Sequence, residues 1–169
     1  PALIPEAHPL ASVSEAYNAV FVEADAAGSL MFYGQGAGGA PTASAILGDV
    51  VSTARARVHG GVGPRESRYA ELESIPLEEL RSAFYVSLTV EDRPGVLAEI
   101  AGTLSGYGIS ISTIHQELLA DGEGQGADRA HIGISTHRAL ESAMTASLDM
   151  FSSTATVLSI DSVLRIEGD

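Results

Sequence analysis

Asp92, Arg93, Pro94 and Gly95 stand between a run of alternating apolar residues and an apolar stripe at helical spacing. A strand that hands its loop to a helix N-terminus leaves backbone N–H groups without intrahelical partners, and such groups favour an anion. That arrangement suits the carboxylate of a free amino acid. A second candidate is Gly34-Gln35-Gly36-Ala37-Gly38-Gly39, which fits G-x-G-x-x-G, follows a strand pattern and precedes a helix pattern. A loop so rich in glycine, ending on a helix N-terminus, can approach a phosphate or a nicotinamide closely.

The elements that must carry the first candidate are legible. Phe84, Val86, Leu88 and Val90 alternate with Tyr85, Ser87 and Thr89, the period of a strand with one buried face. Pro94 is expected at the first helical position, where its missing N–H costs nothing. Val96, Leu97, Ile100, Ala101 and Leu104 form one helical stripe, and Gly106 and Gly108 end it. A strand through Ile109, Ile111 and Thr113 follows, then a Gly/Asp-rich loop from Asp121 to Asp128 and a strand with Ile132 and Ile134 on one face. A second helix carries Leu140, Ala143, Met144, Ser147, Leu148 and Phe151, and a last strand runs from about Val157 to Ile166. The order βαββαβ predicts a ferredoxin-like α+β domain over 80–169 with both helices on one face of an antiparallel sheet.

Upstream, Ala19 to Glu23 and Ser29 to Tyr33 read as a β-hairpin, and Pro41-Thr42 open a helix through Ile46, Val50 and Ala54. A hairpin and one helix bury too little to stand alone, so residues 1–58 are expected to be a fragment of a larger mixed α/β domain. Residues 59–79 are polar, with a Gly-Gly-x-Gly-Pro cluster, and read as a linker. The opening Pro1-Ala2-Leu3-Ile4-Pro5 reads as the start of the C-terminal part of a longer protein.

Composition narrows the possible functions. The net charge of −13 argues against nucleic acid and anionic membrane surfaces as partners. The chain has no Cys, hence no disulfide and no thiolate chemistry. All nine basic residues are Arg, so no mechanism that needs a lysine acid or base is completed here. No apolar run reaches membrane-span length, and a cytoplasmic protein is expected.

Two resemblances rest on these residues. Asp92-Arg93-Pro94-Gly95-Val96-Leu97, Gly108-Ile109-Ser110-Ile111 and Thr136-His137 resemble the ACT domain, a regulatory module that senses amino acids, over about 83–167. The resemblance implies an effector held by Asp92, Arg93, Pro94, Gly95, Val96 and Leu97, with Ser112 and Ile114 contributed across a dimer interface. Asp92 would take the ammonium, and the N–H groups around Gly95 and Val96 the carboxylate. Residues 3–55, with Tyr33-Gly34-x-Gly36-Ala37-Gly38, Thr42-Ala43 and Gly48-Asp49 in order, resemble the C-terminal end of the catalytic region of homoserine dehydrogenase. That family implies NAD(P) as cofactor, approached here by Gly36, Ala37 and Gly38, and a place in threonine and methionine biosynthesis. It also implies threonine as the ACT effector and a homodimer or larger assembly through the ACT sheet. The family's Rossmann domain, catalytic lysines and acidic homoserine-binding residues have no counterpart in these residues, so this chain by itself is expected to be inactive and to bind no cofactor alone.

Other readings stand beside these. A self-contained dinucleotide site fails because no strand ending in Asp or Glu follows the glycine loop at the usual distance, and a turn needed only for tight packing would also use these glycines. Asp92 could simply cap the helix, and Arg93 could be a solvated loop residue. His115 and Gln116 are expected to face solvent or a subunit contact. His131 and His137 lack a carboxylate or Cys at ligand spacing, so no metal site is indicated. The chain could equally be a regulatory or dimerisation module of another amino-acid biosynthetic enzyme, with no catalytic role.

Overall fold

A computed structural model describes residues 1–61, 73–119 and 129–168. The expected Gly/Asp-rich loop and the middle of the expected linker lie outside them. The chain divides into two compact units, one of residues 1–4 and 74–169 and one of residues 5–73.

In the second of these, β2 (Tyr17–Ala24) and β3 (Gly28–Gln35) form an antiparallel hairpin, and α1 spans Gly39–Val58. The helix begins two residues before the expected Pro41, which therefore sits within the first turn, where no intrahelical N–H is needed. A short 3-10 turn at Pro9–Ser12 precedes the hairpin, and His8 packs edge-on against Phe21 with ring centroids 4.8 Å apart. On the other face Val20, Val22, Leu30 and Phe32 are exposed. No residue of 5–61 is buried, as expected of a piece too small for its own core.

The other unit holds β1 (Ala2–Leu3), β4 (Arg81–Glu91), α2 (Val96–Gly106), β5 (Ile111–Leu119), β6 (Arg129–Thr136), β7 (Ala139–Leu140), α3 (Glu141–Ser153) and β8 (Val157–Ile166). From β4 onward this is the expected βαββαβ order, with the two-residue β7 added. The sheet runs β1-β8-β4-β6-β5. Its β4, β5, β6 and β8 contacts are antiparallel, and β1 lies parallel to β8 through Ala2↔Arg165 and Leu3↔Ile166. Neither β1 nor β7 had a signal in the sequence, since two residues show no period.

Alternation decides the burial. Phe84, Val86, Leu88 and Val90 on β4 and Ala130, Ile132 and Ile134 on β6 are each at most 1% exposed. Val96, Ile100 and Leu104 of α2 and Met144 and Phe151 of α3 pack on them in one cluster. Leu97, expected in the α2 stripe, is instead 40% exposed. The middle of the opposite sheet face is polar. The Ser87 hydroxyl and His131 Nε2 are 2.7 Å apart, and Thr89 donates to Asp161 at 2.8 Å. Asp161 is the extra residue of a bulge, because Ser87 pairs with Ser162 while Leu88 pairs with Ile160.

Ile132→Ala should lower the unfolding free energy of this unit by about 2–5 kcal/mol in a urea titration. Ile46→Ala on α1, where the side chain is 59% exposed, should change stability by less than about 0.5 kcal/mol.

Candidate functional site

The chain leaves β4 at Glu91 and enters α2 at Val96, so four residues make the turn. Gly95 is the helix N-cap with φ of 96°, a left-handed conformation that a side chain would strain. Pro94 thus lies outside the helix, one residue before the cap rather than at its first turn. The cap has no side-chain hydrogen bond, so Asp92 does not cap α2. Glu99 N donates to Gly95 O at 3.0 Å and Val96 N to Arg93 O at 3.4 Å. Among the described residues the amides of Gly95, Leu97 and Ala98 have no protein acceptor. A Cβ built on Gly95 would meet nothing within 4 Å, so the space beside Gly95 is open.

The side chains of the turn diverge. Asp92, half-buried, accepts from Gln116 Nε2 on β5 at 3.4 Å. Arg93 turns to the other side, donating from Nε to Glu91 at 2.9 Å and from Nη2 to Glu99 at 3.2 Å and to Thr156 Oγ1 at 2.8 Å. It is therefore tied into α2 and the approach to β8 and is not a freely solvated residue. Thr156, 5% exposed, donates to Glu99 Oε2 at 2.5 Å. That hydrogen bond, assisted by Arg93, holds the Glu99 carboxyl below the usual carboxylate range, against a smaller opposing effect of desolvation. The hydrogen bonds and charges of Glu91 and Glu99 push the Arg93 guanidinium up.

The remaining expected effector residues separate by role. The Val96 side chain belongs to the core at 4% exposure, so only its backbone faces the turn. Leu97 is exposed at the helix start. Ser112 and Ile114 lie exposed on β5, the last strand of the sheet. Ser112 is the extra residue where Ile111 pairs with Thr136 but Thr113 with Ser135. Ile114 and Gln116 pair with Ile134 and Ile132, so they share the face that the helices cover further in. Sequence reasoning missed Gln116 as a neighbour of Asp92, and it missed Glu91, Glu99 and Thr156 as partners of Arg93. An acid in the first turn of a helix was a usable sign for Glu99; Thr156 gave none.

The glycine loop is less open than its pattern suggested. Gly36 donates its amide to Ala16 O at 2.9 Å, and a Cβ there would fall 1.8 Å from the Asn18 carboxamide. A side chain at Gly36 would therefore displace the Asn18 carboxamide, which gives this glycine a packing role. Gly38, at φ of 136°, caps α1 and accepts from Thr42 N at 3.1 Å. The amides of Ala37, Gly38, Gly39 and Ala40 have no acceptor among the described residues. Unpartnered amides at a helix start suit an anion or a carbonyl oxygen.

The other polar groups have local explanations. Thr136 accepts the Phe84 amide at 3.0 Å, and His137 N donates to Ser110 O at 2.8 Å. His115 pairs with Glu117 at 2.9 Å on exposed strand β5. Among the described residues no three His, Asp or Glu side chains gather as a metal site, and no helix is long and apolar enough to cross a membrane.

Known proteins match both units. Residues 1–51 match the family model for homoserine dehydrogenase, and residues 84–137 match that for the ACT domain. The chain is 50% identical over its whole length to a homoserine dehydrogenase of Corynebacterium glutamicum, of which it covers 36%. It is 49% identical over 99% of its length to one of Mycobacterium tuberculosis, of which it covers 38%. The crystal structure of a homoserine dehydrogenase from Thiobacillus denitrificans superposes with a TM-score of 0.80 at 33% identity, over 98% of this chain and 37% of that one. The chain thus spans little more than a third of the relatives it matches. Both resemblances drawn from the sequence are borne out.

The depressed Glu99 carboxyl gives a signed expectation. A group whose folded pKa lies below its unfolded value adds stability above the unfolded pKa and loses it as pH falls through the folded one. Thr156→Val should therefore raise the Glu99 pKa towards the ordinary range in a carbon-detected NMR titration and reduce the loss of stability seen on the acid side.

Proposed function

We propose that this chain, homoserine dehydrogenase sequence in residues 1–51 followed by an ACT domain, is the part of such an enzyme through which an amino acid regulates it. The proposed domains are 1–58, the end of the catalytic and dimerisation region, of which residues 1–4 fold with the C-terminal unit; 59–79, a linker; and 80–169, the effector-binding domain. The whole enzyme would interconvert homoserine and aspartate semialdehyde in the cytoplasm. The nicotinamide cofactor, when bound, would give a hydride as NAD(P)H in the reducing direction and take one as NAD(P)+ in the other. This chain's share is the loop Ala37 to Ala40, whose unpartnered amides lie at the start of α1 and would face the cofactor, with Gly36 keeping the loop close to Asn18.

One observation carries the regulatory reading. Gly95 holds a left-handed turn that leaves three amides open to solvent, and Asp92 lies three residues before it. A carboxylate at the amides and an ammonium at Asp92 complete each other's charges, which is the pattern of a free amino acid. Threonine, the pathway end product, is the proposed effector. Binding acts by favouring one of two subunit arrangements, with typical coupling of about 1–3 kcal/mol. The exposed strand β5 supports a homodimer or larger assembly in which Ser112 and Ile114 of a second copy close the site; no strand pairs its outer edge among the described residues. That edge also favours a second reading, an assembly module that binds no effector.

Calorimetry of the chain with threonine, isoleucine, serine and homoserine separates the two. Heat from one of them, weakened about tenfold or more by Asp92→Asn, is the expected result; Gly95→Val should abolish binding while the domain stays folded. Silence from all four amino acids, with a stable dimer, leaves only the assembly role.

A further inference from the structure

Arg93 is the one basic residue of the turn, and a cation beside a carboxylate-binding site is easily read as a direct ligand. Its geometry says otherwise. The guanidinium spends Nε on Glu91 and Nη2 on Glu99 and Thr156. Thr156 in turn donates to Glu99, so the three side chains close a ring of hydrogen bonds between the turn, the first turn of α2 and the residue before β8. The backbone completes it, since Glu91 N donates to Thr156 O at 3.1 Å. Asp92 points instead towards Gln116 on β5. The turn is therefore stretched between two anchors, with the open amides of Gly95, Leu97 and Ala98 between them.

We infer that Arg93 is a positioning residue: the Arg93–Glu99–Thr156 clasp fixes the four-residue turn so that the α2 amides and Asp92 are preorganised for the effector, and Thr156, 63 residues away in sequence, controls affinity without touching it. The inference rests on the proposed effector site and adds to it a part that the turn alone does not supply. A glycine-containing turn without the clasp samples many conformations and must be ordered on binding, which lowers affinity. The ring also neutralises a positive charge that would otherwise lie next to the positive end of the α2 dipole.

The test uses the full chain and threonine, or whichever of isoleucine, serine and homoserine gives heat. Thr156→Val removes the hydroxyl at nearly constant shape, and Thr156→Ser restores it. Expected results are a drop in affinity of about tenfold for Arg93→Gln and a similar drop for Thr156→Val. Thr156→Ser should bind within about twofold of the parent chain, and the double variant Arg93→Gln/Thr156→Val should be hardly weaker than either single one, because both break the same unit. Arg93→Lys should stay weak, since an ammonium cannot reproduce the guanidinium fork. A guanidinium that contacts the effector directly predicts the reverse: Arg93→Gln weakens binding, Thr156→Val leaves it unchanged, and the double variant matches Arg93→Gln. That pattern, or unchanged affinity in both single variants, overturns the inference. Thermal melting separates general loss of structure: Arg93→Gln and Thr156→Val should still unfold cooperatively above the temperature of the binding measurement, so that lost affinity is not lost fold. No heat from any amino acid with the parent chain removes the effector site itself and this inference with it, whereas binding that ignores the clasp removes the inference alone.

Discussion

Strand β4 is the member on which the C-terminal unit depends. It pairs with β6 along one edge and β8 along the other, and its first residues also pair with β7. Its apolar face meets both helices, so four fully buried side chains, from Phe84 to Val90, are held by neighbours on every side. Each contributes about 1.5–3 kcal/mol of hydrophobic stabilisation. Because β4 cannot shift without disturbing two ladders and the core, its last residue delivers the turn 92–95 at a fixed place. The precision of the candidate site is inherited from that strand.

The turn itself is balanced in a different way. A helix start without a side-chain cap leaves donors that would be costly if buried. Here they are open to solvent, which is tolerable, and ready for an anion, which is useful. Burial holds the strand while hydrogen bonds between charged groups hold the turn, so the two respond differently to conditions. Salt and acid act on the exposed Arg93–Glu99 pair well before they act on the core. The Arg165–Glu141 pair, at 2.7 Å, ties the end of β8 to the start of α3 in the same manner.

The hairpin unit shows the opposite condition. Its strands and helix have the right local signals, and its backbone forms them, yet Val20, Val22, Leu30 and Phe32 stay exposed on one hairpin face and Ile46, Leu47, Val50 and Val51 on α1. Patterning alone makes elements; only a second layer turns an apolar face into a core. These faces are the kind that need a second layer, in keeping with a chain spanning just over a third of its relatives.

Much of this was written in the sequence. Period-two alternation fixed β4 and β6, helical spacing fixed α2 and α3, and the glycine and acid of Asp92-Arg93-Pro94-Gly95 marked the turn, because each signal needs only neighbouring residues. The helix starts were misjudged at Pro94 and Pro41, since a proline fits more than one position before or within a first turn, and only the backbone conformation of Gly95 or Gly38 selects one. What no local pattern held were the contacts between distant segments: Thr156 beneath Arg93, Gln116 beside Asp92, Asn18 in the side-chain space of Gly36, the bulge at Ser112 and the two-residue strand Ala2–Leu3 on the β8 edge. Such contacts depend on strand register and on which side chains meet when the layers close, and the tertiary structure alone sets both.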